Sequence, residues 1–198
     1  LLFLPVLLFE QFPEVLERYQ NRYRFVLVDE YQDTNFSQSR FISLLTHKER
    51  NLFVVGDPDQ SIYSWRGAIV EHILRFEKEY PGAAVLKLQQ NYRSTETILN
   101  AANSVIKNNS HRFDKALWST LGEGEKITLH SAESERKEAE FVAQKIAALK
   151  KDKHISFSDI AIFYRTNFQS RPFEDALISR RIPYKIIGGI SFYLRKEV

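Results

Sequence analysis

Two carboxylates stand side by side where a short apolar run ends. Residues 25–28 are Phe-Val-Leu-Val, and Asp29 and Glu30 follow at once. Such a run is typical of a buried parallel strand, and α/β sheets bind ligands at the carboxyl ends of those strands. One carboxylate there can bind Mg²⁺, and its neighbour can activate the water that attacks a γ-phosphate. An Asp-Glu pair alone is more often a helix cap or a solvated pair, but Gln-Asp-Thr at residues 32–34 makes this one less generic.

A second apolar run, residues 51–55, ends in a Gly-Asp-Pro-Asp-Gln turn at residues 56–60. Gly56 allows a sharp turn, and Pro58 fixes the conformation of the loop. The amide of Gln60 can contact a phosphate oxygen or an attacking water. Taken alone, this sequence is an ordinary turn. Two neighbouring strands that both end in polar side chains nevertheless suggest a nucleotide site.

Two aromatic residues and an arginine follow this turn immediately. Tyr63 and Trp65 are spaced so that both rings can stack on unpaired bases, while the Arg66 guanidinium meets a phosphate. The alternative is a pair of core aromatic residues under the next helix, and composition favours neither interpretation.

Further polar residues follow apolar runs in the second half of the chain. Arg93 can bind a γ-phosphate bidentately, and Tyr92 beside it can stack on a purine. A surface salt bridge is the ordinary alternative for Arg93. Arg165, Asn167 and Arg171 lie at another predicted strand end, where solvated or structural roles are the stronger interpretation.

The elements that must position these residues alternate along the chain. Helices are predicted at residues 13–23, 37–47, 68–80, 95–107, 133–151 and 168–180, and strands at 25–28, 51–55, 84–88, 126–130, 160–164 and 184–187. Alternation of this kind predicts βαβ units with a parallel sheet, and therefore an α/β fold. Pro81-Gly82 is the predicted domain boundary, which gives segments 1–83 and 84–198.

Composition limits the classes of protein that remain. The 198 residues suit one large domain or two small ones, and a net charge of +3 permits a nucleic-acid partner without arguing for one. The absence of cysteine excludes disulfides and fits a reducing cytoplasm. The apolar opening at residues 1–9 is too short to span a bilayer, so no membrane partner is expected. Because methionine is also absent, we expect an internal fragment whose first helix packs on a missing part.

Together these segments resemble the superfamily 1A DNA helicases of the UvrD/Rep/PcrA type. Residues 28–35 resemble motif II (Walker B), residues 55–68 motif III and residues 88–94 motif IV, while residues 164–171 and 182–189 resemble the following part of the second motor lobe. The resemblance runs from about Pro13 to the last residue. It implies parts of two RecA-like lobes, with parallel sheets flanked by helices, at residues 1–83 and 84–198.

The resemblance implies ATP and Mg²⁺ as cofactors. Asp29 and Glu30 would bind the metal, and Glu30 would also activate the hydrolytic water. Gln60 would sense the γ-phosphate. Tyr92 would stack on adenine, and Arg93 would reach the γ-phosphate from the second lobe.

The resemblance also implies an ATP-dependent 3′–5′ helicase or translocase in DNA repair or replication restart. Tyr63 and Trp65 would stack on single-stranded DNA with Arg66 close by, and Arg165 and Asn167 would add contacts from the second lobe. Its expected partners are single-stranded DNA, duplex junctions, and repair or replication proteins.

Other interpretations stay open because part of the motor pattern is missing. No Gly-x-x-x-x-Gly-Lys-[Ser/Thr] loop is present, nor are motifs V and VI, so the chain alone is expected to be inactive as an ATPase. It could instead work as a non-catalytic module that binds single-stranded DNA or a partner, or be a piece of a helicase–nuclease subunit.

Overall fold

The structure is a computed structural model that describes residues 1–110, 112–151 and 155–188. The helices are α1 (Phe3–Gln11), α2 (Pro13–Arg22), α3 (Phe36–Thr46), α4 (Glu71–Leu74), α5 (Phe76–Glu79), α6 (Glu96–Ile106), α7 (Glu135–Leu149) and α8 (Ser170–Ser179). The strands are β1 (Val26–Val28) and β2 (Leu52–Val54). Single 3₁₀ turns occupy Tyr31–Asp33, Pro58–Gln60, Ser64–Arg66, Phe157–Asp159 and Asn167–Gln169.

The chain packs as two compact units, Leu1–Ile127 and Thr128–Val198. The lobe boundary expected after residue 83 stays a prediction. The loop at residues 112–118 contacts residues on both sides of that boundary. Lys115 forms an ion pair with Asp57, and the Trp118 N–H donates to the Gln89 carbonyl.

β1 and β2 form a parallel pair in the first unit, which confirms the predicted α/β fold. Val26 is paired with Leu52 and Val28 with Val54, and α3 connects the strands. Their side chains alternate between a half-buried and an exposed face of the sheet. The expectation of fully buried strands is therefore wrong, because within the described residues helices cover only one face.

The start of α3 is fixed by a capping box directly after the first strand end. The Asn35 side chain accepts a hydrogen bond from the Gln38 backbone N–H at 3.0 Å, and the Gln38 side chain accepts one from the Asn35 backbone N–H at 2.9 Å. The core beneath contains Tyr31, Ile42 and Ile73. Burial raises the pKa of Tyr31 to about 12, although a hydrogen bond with the Ser39 side chain opposes the shift.

Several predicted elements differ from those observed. The helix predicted at residues 68–80 begins only at Glu71 and is divided into α4 and α5 at Arg75. The strands predicted at 84–88, 126–130, 160–164 and 184–187 do not form in the described residues. Their apolar patterns indicate burial, but Leu88 is 89% and Phe163 93% exposed. A strand requires a neighbour with which to share hydrogen bonds, and these segments lack one within the described part of the chain.

In the second unit, the two predicted helices form as α7 and α8 and pack against each other. Their shared core consists of Ala139, Ala143, Ile146, Ala176, Leu177 and Ile182. Glu174 is only 2% exposed, and its two carboxylate oxygens accept hydrogen bonds from Ser170 Oγ at 3.1 Å and Tyr184 Oη at 3.0 Å. These bonds hold the segment after α8 against that helix. Gly189, which ends the last segment that resembles the second motor lobe, lies outside the described residues.

Replacing Tyr184 with phenylalanine is expected to lower the free energy of unfolding by about 1–3 kcal/mol, because it removes a hydrogen bond to a buried carboxylate. Urea denaturation measures the effect. Tyr164→Phe is the matched control, since no hydrogen bond of the Tyr164 hydroxyl appears among the described residues. Equal losses in the two variants would contradict the role given to this bond.

No helix within the described ranges combines the length and apolar character needed to cross a membrane.

Candidate nucleotide and nucleic-acid site

Asp29 and Glu30 lie at the carboxyl end of β1, where both are exposed. Glu30 adopts a left-handed backbone conformation with φ 51° and ψ 42°, and its N–H donates to Asp29 Oδ1 at 2.9 Å. A non-glycine residue in this region is uncommon, and such strain tends to cluster at functional sites. The turn sends the two carboxylates out of the strand instead of into the core.

A cavity of about 330 Å³ adjoins these carboxylates and is also lined by Asp33. Asp33 Oδ1 is shielded from solvent and has no hydrogen-bond partner among the described residues. Within the residues that the structure describes, no group of three or more His, Cys, Asp or Glu side chains is placed to hold a metal ion. Mg²⁺ normally takes one or two carboxylates and completes its shell with phosphate and water, so Asp29 and Glu30 fit this ion.

The buried side chain of Gln32 links the two strand ends. Its Nε2 donates to Glu30 Oε2 at 2.7 Å, and its Oε1 accepts the Asp57 backbone N–H at 3.0 Å. A Cβ at Gly56 would lie 2.4 Å from Gln32 Oε1, so any larger residue there would displace the Gln32 amide. No sequence pattern indicates this link, because a glutamine in a polar turn after a strand looks solvated.

The loop after β2 is organised around the Asp57 carboxylate. Gln60 Nε2 donates to Asp57 Oδ2 at 3.0 Å, and the Asp59 N–H donates to Asp57 Oδ1 at 3.0 Å. Gln60 is exposed and lies on the single 3₁₀ turn that follows Asp57. The loop therefore presents the Gln60 amide close to the carboxylate that orients it.

Two cations that no local pattern singles out neutralise this loop. Lys115 pairs with Asp57 and lies 3.6 Å from Asp59 Oδ2, and Arg112 lies 3.3 Å from the same oxygen. Asp59 has no hydrogen-bond partner for its buried carboxylate oxygens in the described ranges, so charge pairing balances it. Lys115 is 58 positions from Asp57 along the chain, too far for sequence spacing to connect the two.

The pKa of Asp57 is lowered. Burial alone would raise it, but hydrogen bonds from Lys115 and Gln60, the charge of Lys115 and the Asp59 N–H together outweigh burial. Because the folded-state pKa is the lower one, the carboxylate stabilises the fold above its unfolded pKa of about 3.9. That stability is lost as the pH falls through the folded pKa.

Asp57→Asn is therefore expected to reduce stability at neutral pH and to matter less as the pH falls below about 4. Urea denaturation of both proteins at neutral pH and near pH 3 measures the change. A difference between wild type and variant that stays constant with pH would show that the Lys115 pair does not stabilise the loop.

The aromatic residues after this loop form an exposed cluster. The ring centroids of Tyr63 and Trp65 lie 6.3 Å apart, and Trp65 is 68% exposed. Arg66 Cζ lies 4.4 Å from the Trp65 centroid and 5.0 Å from that of Tyr63, within cation–π range. The alternative of core aromatic residues is excluded, because both rings are open to solvent.

Tyr92 and Arg93 are exposed and lie in a turn formed by Asn91. Asn91 Oδ1 accepts the backbone N–H groups of Arg93 at 2.9 Å and Ser94 at 2.7 Å. The Tyr92 hydroxyl donates to Gln90 Oε1 at 2.9 Å. No ion pair of Arg93 occurs within the residues described. Both side chains are available, but no described contact joins them to Asp29 or Glu30.

Trp118 supports this turn through the backbone. Its carbonyl accepts the Asn91 N–H at 2.8 Å, and its N–H donates to the Gln89 carbonyl at 3.2 Å. Asn103 of α6 holds the neighbouring Leu117 through a pair of hydrogen bonds at 2.9 and 3.3 Å.

Arg165 and Asn167 belong to the second compact unit and are both exposed. Thr166 between them forms a capping box in which Gln169 Oε1 accepts the Thr166 N–H at 2.9 Å. This cap directs the chain into α8, and Arg171 lies in the first turn of that helix. The residues thus share a helix entry instead of the predicted strand end.

Comparison with known proteins places these segments in one family. The model of the UvrD/REP helicase N-terminal domain matches residues 1–81, and that of the UvrD-like helicase C-terminal domain matches residues 86–198.

Three relatives named ATP-dependent DNA helicase PcrA are similar to the chain. The Leuconostoc citreum protein is 49% identical over 198 residues, which is 100% of this chain. The Staphylococcus aureus and Staphylococcus epidermidis proteins are 54% and 51% identical over 191 residues, or 96% of this chain. The chain spans only 26% of the length of each relative. Together with the two matching domain models, this similarity shows that the chain belongs to the UvrD-like helicase family.

Proposed function

We propose that this chain is part of an ATP-dependent 3′–5′ DNA helicase or translocase, and that it carries the element that couples nucleotide hydrolysis to grip on single-stranded DNA. The observation that carries this proposal is the continuity of the site. The Glu30 carboxylate after β1 is linked through Gln32 to the loop after β2, which runs on into the exposed Tyr63, Trp65 and Arg66. Family membership and the names of the relatives support nucleotide use.

On the nucleotide side, Asp29 and Glu30 would hold Mg²⁺, and bound Mg²⁺ would neutralise charge on the phosphates of ATP. Glu30 would also accept the proton of the attacking water. Gln60 would donate its amide to a γ-phosphate oxygen.

Two residues after the predicted lobe boundary would complete the nucleotide contacts. Tyr92 would stack on adenine, and Arg93 would neutralise the γ-phosphate from the second lobe. Their exposure and the turn held by the two hydrogen bonds to Asn91 Oδ1 support this assignment. We accordingly propose the lobe segments 1–83 and 84–198, which lie close to the two domain matches.

On the DNA side, Tyr63 and Trp65 would stack on bases while Arg66 contacts a phosphate. Arg165 and Asn167, both exposed, would supply the contacts from the second unit. Substrates would be single-stranded DNA and duplex junctions. The cysteine-free sequence supports a cytoplasmic setting, with repair or replication proteins as partners.

The test is binding of the chain to labelled oligo-dT and to a blunt duplex of equal length, measured by fluorescence anisotropy, together with ATP hydrolysis. We expect preferential binding to oligo-dT that weakens with salt, and no appreciable ATPase activity, because the chain contains no phosphate-binding lysine loop. Equal binding to both DNAs, or no binding, would contradict the DNA-gripping role. Robust DNA-stimulated ATPase activity would contradict the assignment as an incomplete motor.

A non-catalytic module that binds single-stranded DNA is the second candidate, and the exposed aromatic cluster favours it independently of the carboxylates. The two candidates are distinguished in a longer protein that contains both these residues and a phosphate-binding lysine loop. DNA-stimulated ATP hydrolysis by that protein supports the first candidate, and its absence supports the second.

A further inference from the structure

Gln32 has a buried side-chain amide that forms hydrogen bonds both with Glu30 after β1 and with the loop after β2. It is 1% exposed, and its Nε2 and Oε1 contact Glu30 and the Asp57 N–H respectively. Its own backbone carbonyl oxygen accepts a hydrogen bond from Ser61 Oγ at 3.4 Å. The residue therefore contacts the end of β1 on one side and the loop after β2 at two points on the other.

The surroundings of this amide leave it little freedom to move. The position of a Cβ on Gly56 would be 2.4 Å from Gln32 Oε1 and 2.9 Å from Ile73 Cδ1, which shows how tightly the three residues pack. The neighbouring Tyr31 N–H donates to the Val55 carbonyl at 3.0 Å and holds the two chain segments together. Because packing fixes the Gln32 side chain, a displacement of Glu30 at its donor end also displaces the Asp57 N–H at its acceptor end.

Hydrogen bonds continue from Gln32 toward the DNA-facing loop. Asp57, which donates its N–H to Gln32, accepts a hydrogen bond from Gln60 Nε2 at 3.0 Å. Ser61 follows Gln60 in the chain, and the aromatic cluster begins two residues later at Tyr63. Glu30 and Gln60 are thus connected by an unbroken set of contacts through one amide.

We propose that Gln32 is a positioning residue that couples the Glu30 carboxylate to the loop bearing Gln60. This inference rests on the proposed function, in which Glu30 accepts the proton of the attacking water. Because the donor and acceptor ends of one rigid amide contact different strand ends, a shift of Glu30 displaces Asp57 and the loop with it. A purely structural glutamine would stabilise the fold without transmitting a change at Glu30.

The coupling is measured in the chain itself by NMR, without reference to activity. Glu30→Gln removes the charge that the Gln32 amide contacts, and we expect it to shift the backbone amide signal of Asp57. In a Gln32→Met background this response should be lost, and the Asp57 amide should exchange with solvent about tenfold faster. An unchanged response in the Gln32→Met background, or none in the wild type, would overturn the proposal.

Two further variants distinguish a loss of coupling between Glu30 and Asp57 from a general loss of fold stability. Gln32→Asn keeps an amide but is one methylene shorter, so it cannot contact Glu30 and the Asp57 N–H at once, and the response should again be lost even if Gln32→Met folds poorly. Gln38→Met removes a capping glutamine from α3 and should leave the response intact. Loss of the response in Gln38→Met would mean that general destabilisation explains the result and would overturn the proposal.

The catalytic consequence is measured in an intact helicase that contains these residues. Gln32→Met should lower the DNA-stimulated kcat about tenfold or more while the KM for ATP changes less than about twofold. If the intact wild type fails to hydrolyse ATP, the proposed function is wrong, whereas the NMR coupling can still be present. An unchanged kcat in an active enzyme would overturn the positioning role alone.

Discussion

Replacing Gly56 with alanine is expected to lower the free energy of unfolding of the first unit by about 2–4 kcal/mol. The added methyl group would lie 2.4 Å from Gln32 Oε1, 2.9 Å from Ile73 Cδ1 and 3.1 Å from the Tyr31 backbone nitrogen. Gln32 cannot retreat without leaving the Asp57 N–H unpaired, so overpacking and a lost hydrogen bond act together. Urea denaturation followed by circular dichroism measures the loss.

Gly122→Ala is the matched control, because nothing lies within 4 Å of its added methyl group. Gly122 has a φ of 73°, so its cost should be limited to the strain of a left-handed backbone, about 1–2 kcal/mol. The cost of combining Gly56→Ala with Gln32→Ala should be smaller than the sum of the two single costs, since the nearest clash and the lost hydrogen bond are then counted only once. Equal costs at Gly56 and Gly122, with additive costs in the double variant, would contradict the packing described for the two strand ends.

Trp65→Ala is expected to weaken binding of oligo-dT by about 5- to 150-fold. Stacking of one base on an aromatic ring contributes about 1–3 kcal/mol, and Trp65 is the most exposed ring of the cluster. Removal of the indole also takes away the surface on which Arg66 lies, so the guanidinium loses its orientation. Fluorescence anisotropy with labelled oligo-dT at fixed salt measures the change.

Trp118→Phe is the control for this variant, because the Trp118 contacts to Gln89 and Asn91 are made by its backbone and survive the substitution. Its affinity for oligo-dT should stay within about twofold of the wild type. If both tryptophan variants lose affinity equally, the aromatic cluster is not the specific DNA contact.

The parallel α/β core could be predicted from the sequence because its signals are local. Apolar runs at residues 25–28 and 51–55 coincide with β1 and β2 to within about a residue at each end, and the helical spacing at 37–47 identified α3. The positions of Asp29 and Glu30 directly after β1, and of Gln60 in the turn after β2, could also be predicted, since polar residues follow each apolar run. Local patterns were sufficient to predict β1 and β2, because these two strands pair with each other within the described residues.

The parts that could not be predicted depend on contacts between distant segments. Lys115 pairs with Asp57 across 58 positions, and no local pattern marks either residue as its partner. The apolar pattern at residues 84–88 predicts a strand, but pattern alone does not supply the neighbouring strand that would complete it. The role of Gln32 is likewise set by burial between two strand ends, which residue type does not reveal.

The most direct test of the coupled ATP and DNA element is ¹⁹F NMR of the chain labelled with 5-fluorotryptophan. The two tryptophans give two signals, and Trp65→Phe assigns them. We expect oligo-dT to shift and broaden the Trp65 signal while that of Trp118 changes little, and we expect Gln32→Met to alter the free Trp65 signal. A Trp65 signal that responds neither to oligo-dT nor to the change at Gln32 would contradict the coupling of the two sites.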